Sequence, residues 1–118
     1  MSPKHASETV ARRRHHALVF AALGDELRLG LIGKLAEGEA KSIAQLTEGS
    51  KVTRQAVTKH LRVLEEVGVV RSTRRGRESL FELDLSPFRD AREYLQWVSE
   101  QWDDALSRLK SFVEQPER

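Results

Sequence analysis

Hydrogen-bond donors gather between Thr53 and Leu85 at helical spacing, and again at a turn. In TRQAVTKHLRVLEEVG, the residues Arg54, Gln55, Thr58, Lys59 and Arg62 fall at i, i+1, i+4, i+5 and i+8. That places them together on one side of a 3.6-residue helix. Guanidinium, ammonium, amide and hydroxyl groups collected in this way are the groups that reach base edges and phosphates. Ala56, Val57, Leu61 and Leu64 form the apolar stripe that must face a core. His60 is expected to donate to a phosphate or to the backbone, because no second imidazole, thiolate or well-placed carboxylate accompanies it as a metal site requires. Thr53 predicts an N-cap and Gly68 a left-handed stop, so the helix is expected over about 53–67.

The following segment, VVRSTRRGRESLFELDL, is β-branched and aromatic on both sides of a basic, glycine-containing turn, which predicts a hairpin over about 69–84. Arg74, Arg75 and Arg77 crowd its tip around Gly76. Guanidinium groups so placed repel one another unless a partner supplies negative charge, and a phosphate backbone does so through paired N–H donors. Residues 51–77 carry eight cations against two anions, a net of +6, whereas the whole chain is only +2 and residues 86–118 sum to −2. The polarity is therefore regional, and the basic region is the predicted reading head.

These groups need elements to hold them. Residues 1–8, MSPKHASE, lack periodicity and are read as a flexible tail; residues 9–118 are read as a single domain, since 118 residues support one modest core. ARRRHH opens a first helix with Leu18, Val19, Ala22 and Leu23 on its buried side, and the Arg-His run is read as a solvated basic face. Asp25 is the expected cap of a second helix that buries Leu27, Leu31, Ile32 and Leu35 and stops near Gly38. Ser42 with Gln45 makes a capping-box pattern for a short third helix around Ile43, Ala44 and Leu46. The third helix, a loop at Gly49–Ser50 and the donor-bearing helix together predict a helix-turn-helix.

Ser86 and Pro87 read as cap and first-turn residues of a last helix over about 86–114. Within it Phe88, Ala91, Leu95, Val98, Trp102, Ala105, Leu109 and Phe112 follow spacings of 3, 4, 3, 4, 3, 4, 3. Such a seam is suited to another helix, and its length leaves an apolar patch on any lone subunit. A homodimer is expected, with these residues and Leu18 at its interface. The fold class is thus mainly α with a small β-hairpin: a winged helix-turn-helix whose long N- and C-terminal helices form a dimer interface.

TRQAVTKHLRVLEEVGVV closely resembles the recognition-helix segment of the ArsR family of bacterial winged-helix repressors. Members typically show a Ser or Thr, then Ala-Val-Ser-Lys/Arg-His-Leu, then Leu-Glu-x-x-Gly-Leu-Val; Thr53, Ala56, Val57, Thr58, Lys59, His60, Leu61, Leu64, Gly68 and Val70 fit. Upstream, FAALGDELRLGLIGKLAEG looks like the family's first-to-second helix junction, where Asp25 and Arg28 match an Asp-Pro-Thr-Arg segment and Glu26 and Leu27 depart from it. The resemblance covers roughly residues 15–113. It implies an operator-binding dimer whose outer helices form the interface.

Many members of that family sense metals. The family's third-helix site requires thiolates, and this chain has no cysteine. The site across the paired last helices requires Asp and His ligands, yet Asp90, Asp103 and Asp104 have no histidine anywhere after His60. Adjacent His15 and His16 point about 100° apart on a helix, and Arg12, Arg13 and Arg14 oppose a cation, so no metal and no cofactor is expected. No Gly-x-Ser-x-Gly elbow, phosphate loop or His-Glu-x-x-His pattern occurs, so no catalytic residue is assigned. No apolar run approaches a membrane span and no secretory signal is evident, which predicts a cytoplasmic protein.

The leading expectation is a sequence-specific repressor whose partners are a double-stranded DNA operator and a second copy of itself. Arg54, Gln55 and Thr58 are assigned to base edges; Lys59, Arg62 and the wing arginines are assigned to the backbone. The alternative is a protein-interaction winged helix without specific DNA binding. A further variant adds an unknown small-molecule effector lodged between the first and last helices, near Phe20, Trp97 or Trp102.

Overall fold

The computed structural model describes the backbone of residues 3–115 and the side chains from Val10 to Gln115. Helix α1 spans Pro3–Leu23 and α2 spans Glu26–Leu35. The short strand β1, Lys41–Ser42, leads into α3, Ile43–Thr47, and then α4, Arg54–Glu66. Strands β2, Val70–Arg75, and β3, Glu78–Leu83, form the hairpin, and α5 runs Ser86–Glu114. The expected tail at 1–8 falls on residues whose side chains lie outside the description. The backbone of α1 already begins at Pro3, whose missing N–H and fixed φ suit a first helical turn.

Caps set most of the boundaries. The Asp25 carboxylate accepts from the Arg28 amide at 3.0 Å and starts α2. Around α3 the capping box is complete: Gln45 N–H donates to Ser42 Oγ at 3.2 Å, and Ser42 N–H donates to Gln45 Oε1 at 2.9 Å. The start of α5 departs from expectation. Ser86 is the first helical residue, and the Asp84 carboxylate accepts both its amide, at 3.0 Å, and its hydroxyl, at 2.7 Å. Those two bonds, led by the hydroxyl, hold the Asp84 carboxyl below the ordinary aspartate range.

The core joins Val19 and Ala22 of α1, Leu31 and Leu35 of α2, Leu46 of α3, Val57, Leu61 and Leu64 of α4, and Val69, Val70 and Phe81 of the hairpin. Leu18, expected on the buried side of α1, is 61% exposed instead. It sits one residue before Val19 and so about 100° round the helix, off the stripe. His16 is also revised. It is buried rather than part of a solvated basic face, with its ring centroid 4.8 Å from that of Tyr94 on α5. Arg12, Arg13, Arg14 and His15 remain exposed.

The sheet has three strands in the order β1-β3-β2, all antiparallel, with Lys41 opposite Phe81 and Ser42 opposite Leu80. Strand β1 was not expected, because two residues carry no alternation. It anchors the base of the hairpin to the turn before α3.

Helix α5 divides the seam. Ala91 is buried and Phe88 packs against the core, so both belong to their own subunit and not to a free surface. Beyond Tyr94 the remaining seam residues project away: Trp102 is 66% and Phe112 75% exposed. The radius of gyration is 20.3 Å, whereas a compact domain of this length has roughly 13–14 Å. The molecule is accordingly elongated, with principal extents of 76 × 35 × 21 Å. Among the described residues, no helix is long and apolar enough to cross a membrane.

Candidate nucleic-acid interface

Helix α4 is built to show one face. The Ala56 amide donates to Thr53 Oγ1 at 3.1 Å, which caps the first turn. At the other end Gly68 takes φ of +82°, its N–H donates to the Glu65 carbonyl at 3.0 Å, and the Val69 N–H reaches back to the Leu64 carbonyl at 3.1 Å. This is a Schellman closure, with Val69 and Leu64 both fully buried as its apolar contact. With Val57, Leu61 and Leu64 locked inward, Arg54, Gln55, Lys59 and Arg62 are exposed together. Thr58 is half-buried, and its hydroxyl donates to the Arg54 carbonyl at 2.8 Å. That leaves it an acceptor and a methyl group to offer a base.

His60 does not join this row. Its side chain is 25% exposed, and Nδ1 lies 3.1 Å from Arg28 Nη1 and 3.8 Å from Asp25 Oδ2. Its Nδ1 thus faces the junction of α1 and α2. A signal was present, since His60 stands four residues from both Ala56 and Leu64 and thus shares the buried side of the helix.

The hairpin supplies the second part. Register pairs Arg75 with Glu78, leaving Gly76 and Arg77 as a two-residue loop. Gly76 has φ of +60° at the first loop position, which is the geometry of a type II′ turn and follows the twist of the strands. Alternation puts Ser72 and Arg74 on one face of β2, with Arg71, Thr73 and Arg75 on the other. On the first face the Ser72 hydroxyl reaches Glu65 of α4 at 2.6 Å, so Arg74 shares the α4 side. On the second, Arg71 pairs with Glu82 at 3.4 Å. The tip arginines therefore splay rather than stack.

Placement on one helix face and the adjoining hairpin tip sets these cations apart. Among the described residues, Arg54, Lys59, Arg62, Arg74, Arg75 and Arg77 have no carboxylate within 4.0 Å; the ion pairs formed are Lys41–Glu37 and Arg71–Glu82, and the Asp25 carboxylate lies 3.8 Å from His60 Nδ1. Six fixed positive charges on a helix face and an adjoining hairpin tip can neutralise the phosphates of a polyanion and release its counterions. Asp25, at the start of α2, is engaged as well. The Arg28 amide bond, aided by the charge of Arg28, holds the Asp25 carboxyl below the ordinary range.

The apolar residues expected at an interface separate into two sets. Leu18, Leu95, Val98, Trp102, Leu109 and Phe112 are exposed and Ala105 is half-buried, whereas Phe88 and Ala91 are spent inside the subunit. Of the aromatic residues proposed to hold an effector, Phe20 and Trp97 both adjoin Tyr94, at centroid distances of 6.5 and 6.1 Å. Trp102 lies further along α5. Among the described residues no group of three or more His, Asp or Glu side chains is arranged to hold a metal ion.

Comparison with known proteins agrees with this geometry. A helix-turn-helix domain model matches residues 23–73. An uncharacterised HTH-type transcriptional regulator of Bacillus subtilis (strain 168), YuzN, is 33% identical over an alignment of 78 residues that covers 61% of this chain and 85% of that protein. An ArsR-like transcriptional regulator from Rhodococcus sp. RHA1 superposes with a TM-score of 0.78 at 31% identity, over 88% of this chain and 97% of its own. The homodimeric winged helix-turn-helix DNA-binding domain of a possible ArsR-family regulator from Mycobacterium bovis shares the fold, with a TM-score of 0.62 at 20% identity over 86% of this chain and 89% of its own.

Proposed function

Because this chain belongs to the ArsR-like winged helix-turn-helix transcriptional regulators, we propose that it acts as a homodimeric, operator-specific repressor in the cytoplasm. The observation that carries the reading is the gathering of exposed cations on the outer face of α4 and the adjoining hairpin tip, none of them within 4.0 Å of a carboxylate among the described residues. In this reading two copies of α4 enter successive major grooves about 34 Å apart, the repeat of B-form DNA. Arg54, Gln55 and Thr58 meet base edges, and Lys59 and Arg62 meet phosphates. Arg74, Arg75 and Arg77 grip the backbone or the adjoining minor groove.

The exposed length of α5 beyond Tyr94 supports pairing with a second copy. Leu95, Val98, Trp102, Leu109 and Phe112 present an apolar surface of the kind that monomers rarely leave open. The homodimeric state of the Mycobacterium bovis domain, whose fold this chain shares, points the same way. Metal control through the family's usual sites is not part of the proposal, since the chain has no cysteine and no histidine after His60. Nor is catalysis.

Selection of random duplexes with the purified protein tests the reading. The expected result is enrichment of a two-fold repeat with half-sites about one helical turn apart. Recovery of no sequence preference, together with indifference to duplex DNA at low ionic strength, would favour a protein-interaction module instead.

A further inference from the structure

The corner where α1 meets α2 carries a side-chain cluster that operator contact does not use. Arg28 Nε donates to the Ala22 carbonyl and Nη2 to the Ala21 carbonyl at 3.5 Å, so the guanidinium closes the C-terminal end of α1. Carbonyls there lack intrahelical partners and carry the negative end of the helix dipole. The same guanidinium reaches His60 Nδ1 with Nη1 at 3.1 Å. Through its backbone amide Arg28 also donates to Asp25 Oδ2, the atom that lies 3.8 Å from His60 Nδ1. Three helices therefore meet at one guanidinium and one imidazole.

A guanidinium only donates, so this contact needs a lone pair on Nδ1 and hence a neutral ring with its proton on Nε2. A proton added at Nδ1 turns the acceptor into a donor and sets two cations against each other. Asp25 Oδ2 is then the neighbour to which the ring can donate. The charged groups that meet the ring are Asp25 and Arg28, from the α1–α2 corner, and α1 brings only the Ala21 and Ala22 carbonyls to the cluster. On its own helix Lys59 and Arg62 are exposed. The α3 and β2 segments, also packed on α4, bring no hydrogen-bonding or ion-pairing group to the ring among the described contacts.

We propose that His60 is a positioning residue: its neutral ring, held by Arg28, locks α4 to the end of α1, and protonation opens this lock and weakens operator binding. The inference rests on the operator-binding reading and adds a proton-sensitive control to it.

The test compares binding of the most strongly enriched duplex at pH 7.5 and pH 5.5, at one ionic strength, by wild type, His60→Gln and Arg28→Lys. Gln keeps an accepting oxygen but does not titrate, and Lys keeps the charge but loses the fork that spans α1 and α4. On acidification, wild type is expected to lose about fivefold more affinity than His60→Gln, a size typical of coupling between sites. Arg28→Lys is expected to bind more weakly than wild type at pH 7.5 and to respond less to pH. Coincident profiles for wild type and His60→Gln overturn the inference and leave the operator reading standing. Wild type that binds no duplex at either pH removes that reading and the inference with it. A check without substitution reads the His60 ring nitrogens by NMR: the Nε2–H tautomer is expected at pH 7.5, and the Nδ1–H tautomer overturns the lock.

Discussion

The hydroxyl of Ser72 donates a 2.6 Å hydrogen bond to Glu65 Oε2, which fastens the first strand of the hairpin to the last turn of α4. Only residues 67–69 connect the two elements, and Val69 is fully buried, so the helix and the wing are held both by the chain and by this bond. Ser72→Ala removes the bond without touching the core. We expect duplex affinity to fall about two- to tenfold, the range of a single hydrogen bond, with little change in thermal midpoint. Unchanged affinity in a fluorescence-anisotropy titration would mean that the wing is oriented by the backbone alone.

The proposed division between base and phosphate contacts has a direct test. Arg54→Ala or Gln55→Ala should change which sequences are preferred in a repeat selection. Arg75→Ala should weaken binding to all duplexes alike and reduce the salt slope by about one. Three variants that all weaken binding evenly would contradict the assignment.

Two apolar positions on α5 should behave differently although they share one seam. Trp102 is exposed, so Trp102→Asp is expected to leave a folded subunit that elutes and scatters light as a monomer. Ala91 is buried in its own subunit, so Ala91→Asp is expected to cost about 3 kcal/mol or more of folding stability, read by denaturant titration. A Trp102→Asp protein that remains dimeric would remove the dimer proposal for this helix.

Asp25 predicts a sign for acid sensitivity. Its carboxyl is held below the ordinary aspartate range chiefly by the Arg28 amide, with the charge of Arg28 adding to the effect. A depressed folded value stabilises the fold above the unfolded pKa, and that contribution is lost as pH falls through the folded one. Asn also caps helices but carries no charge. The thermal midpoint of wild type should therefore exceed that of Asp25→Asn at pH 7, and the gap should close as pH drops below about 4. A gap that stays constant down to pH 2 would assign the difference to the shape of the cap rather than its charge.

Much of this fold was legible because its cues are local. Thr53, the Val57–Leu61–Leu64 stripe and Gly68 bracket α4 within one residue, and Gly76 marks the turn of the hairpin. The helix over 86–114 is found where the 3,4 spacing predicts it, although Ser86 is its first residue rather than its cap: the cap position is Leu85, without a side-chain bond, and Asp84 holds Ser86. Strand β1 escaped notice because it exists only through pairing with β3, forty residues on in the chain.

The order of polar and apolar residues by itself determined which side of each helix is dry and where each helix stops, since capping and periodicity act over a few residues. It also determined the charge of the reading face. Only tertiary structure decided which dry surfaces are spent within the subunit. Phe88 and Ala91 obey the same spacing as Trp102 and Phe112, yet the first pair meets the core and the second pair meets none of it. The same holds for His60, which folding brings to 3.1 Å from Arg28, a residue thirty-two positions earlier. Periodicity describes one helix at a time, and contact between helices is settled by the packing of the whole chain.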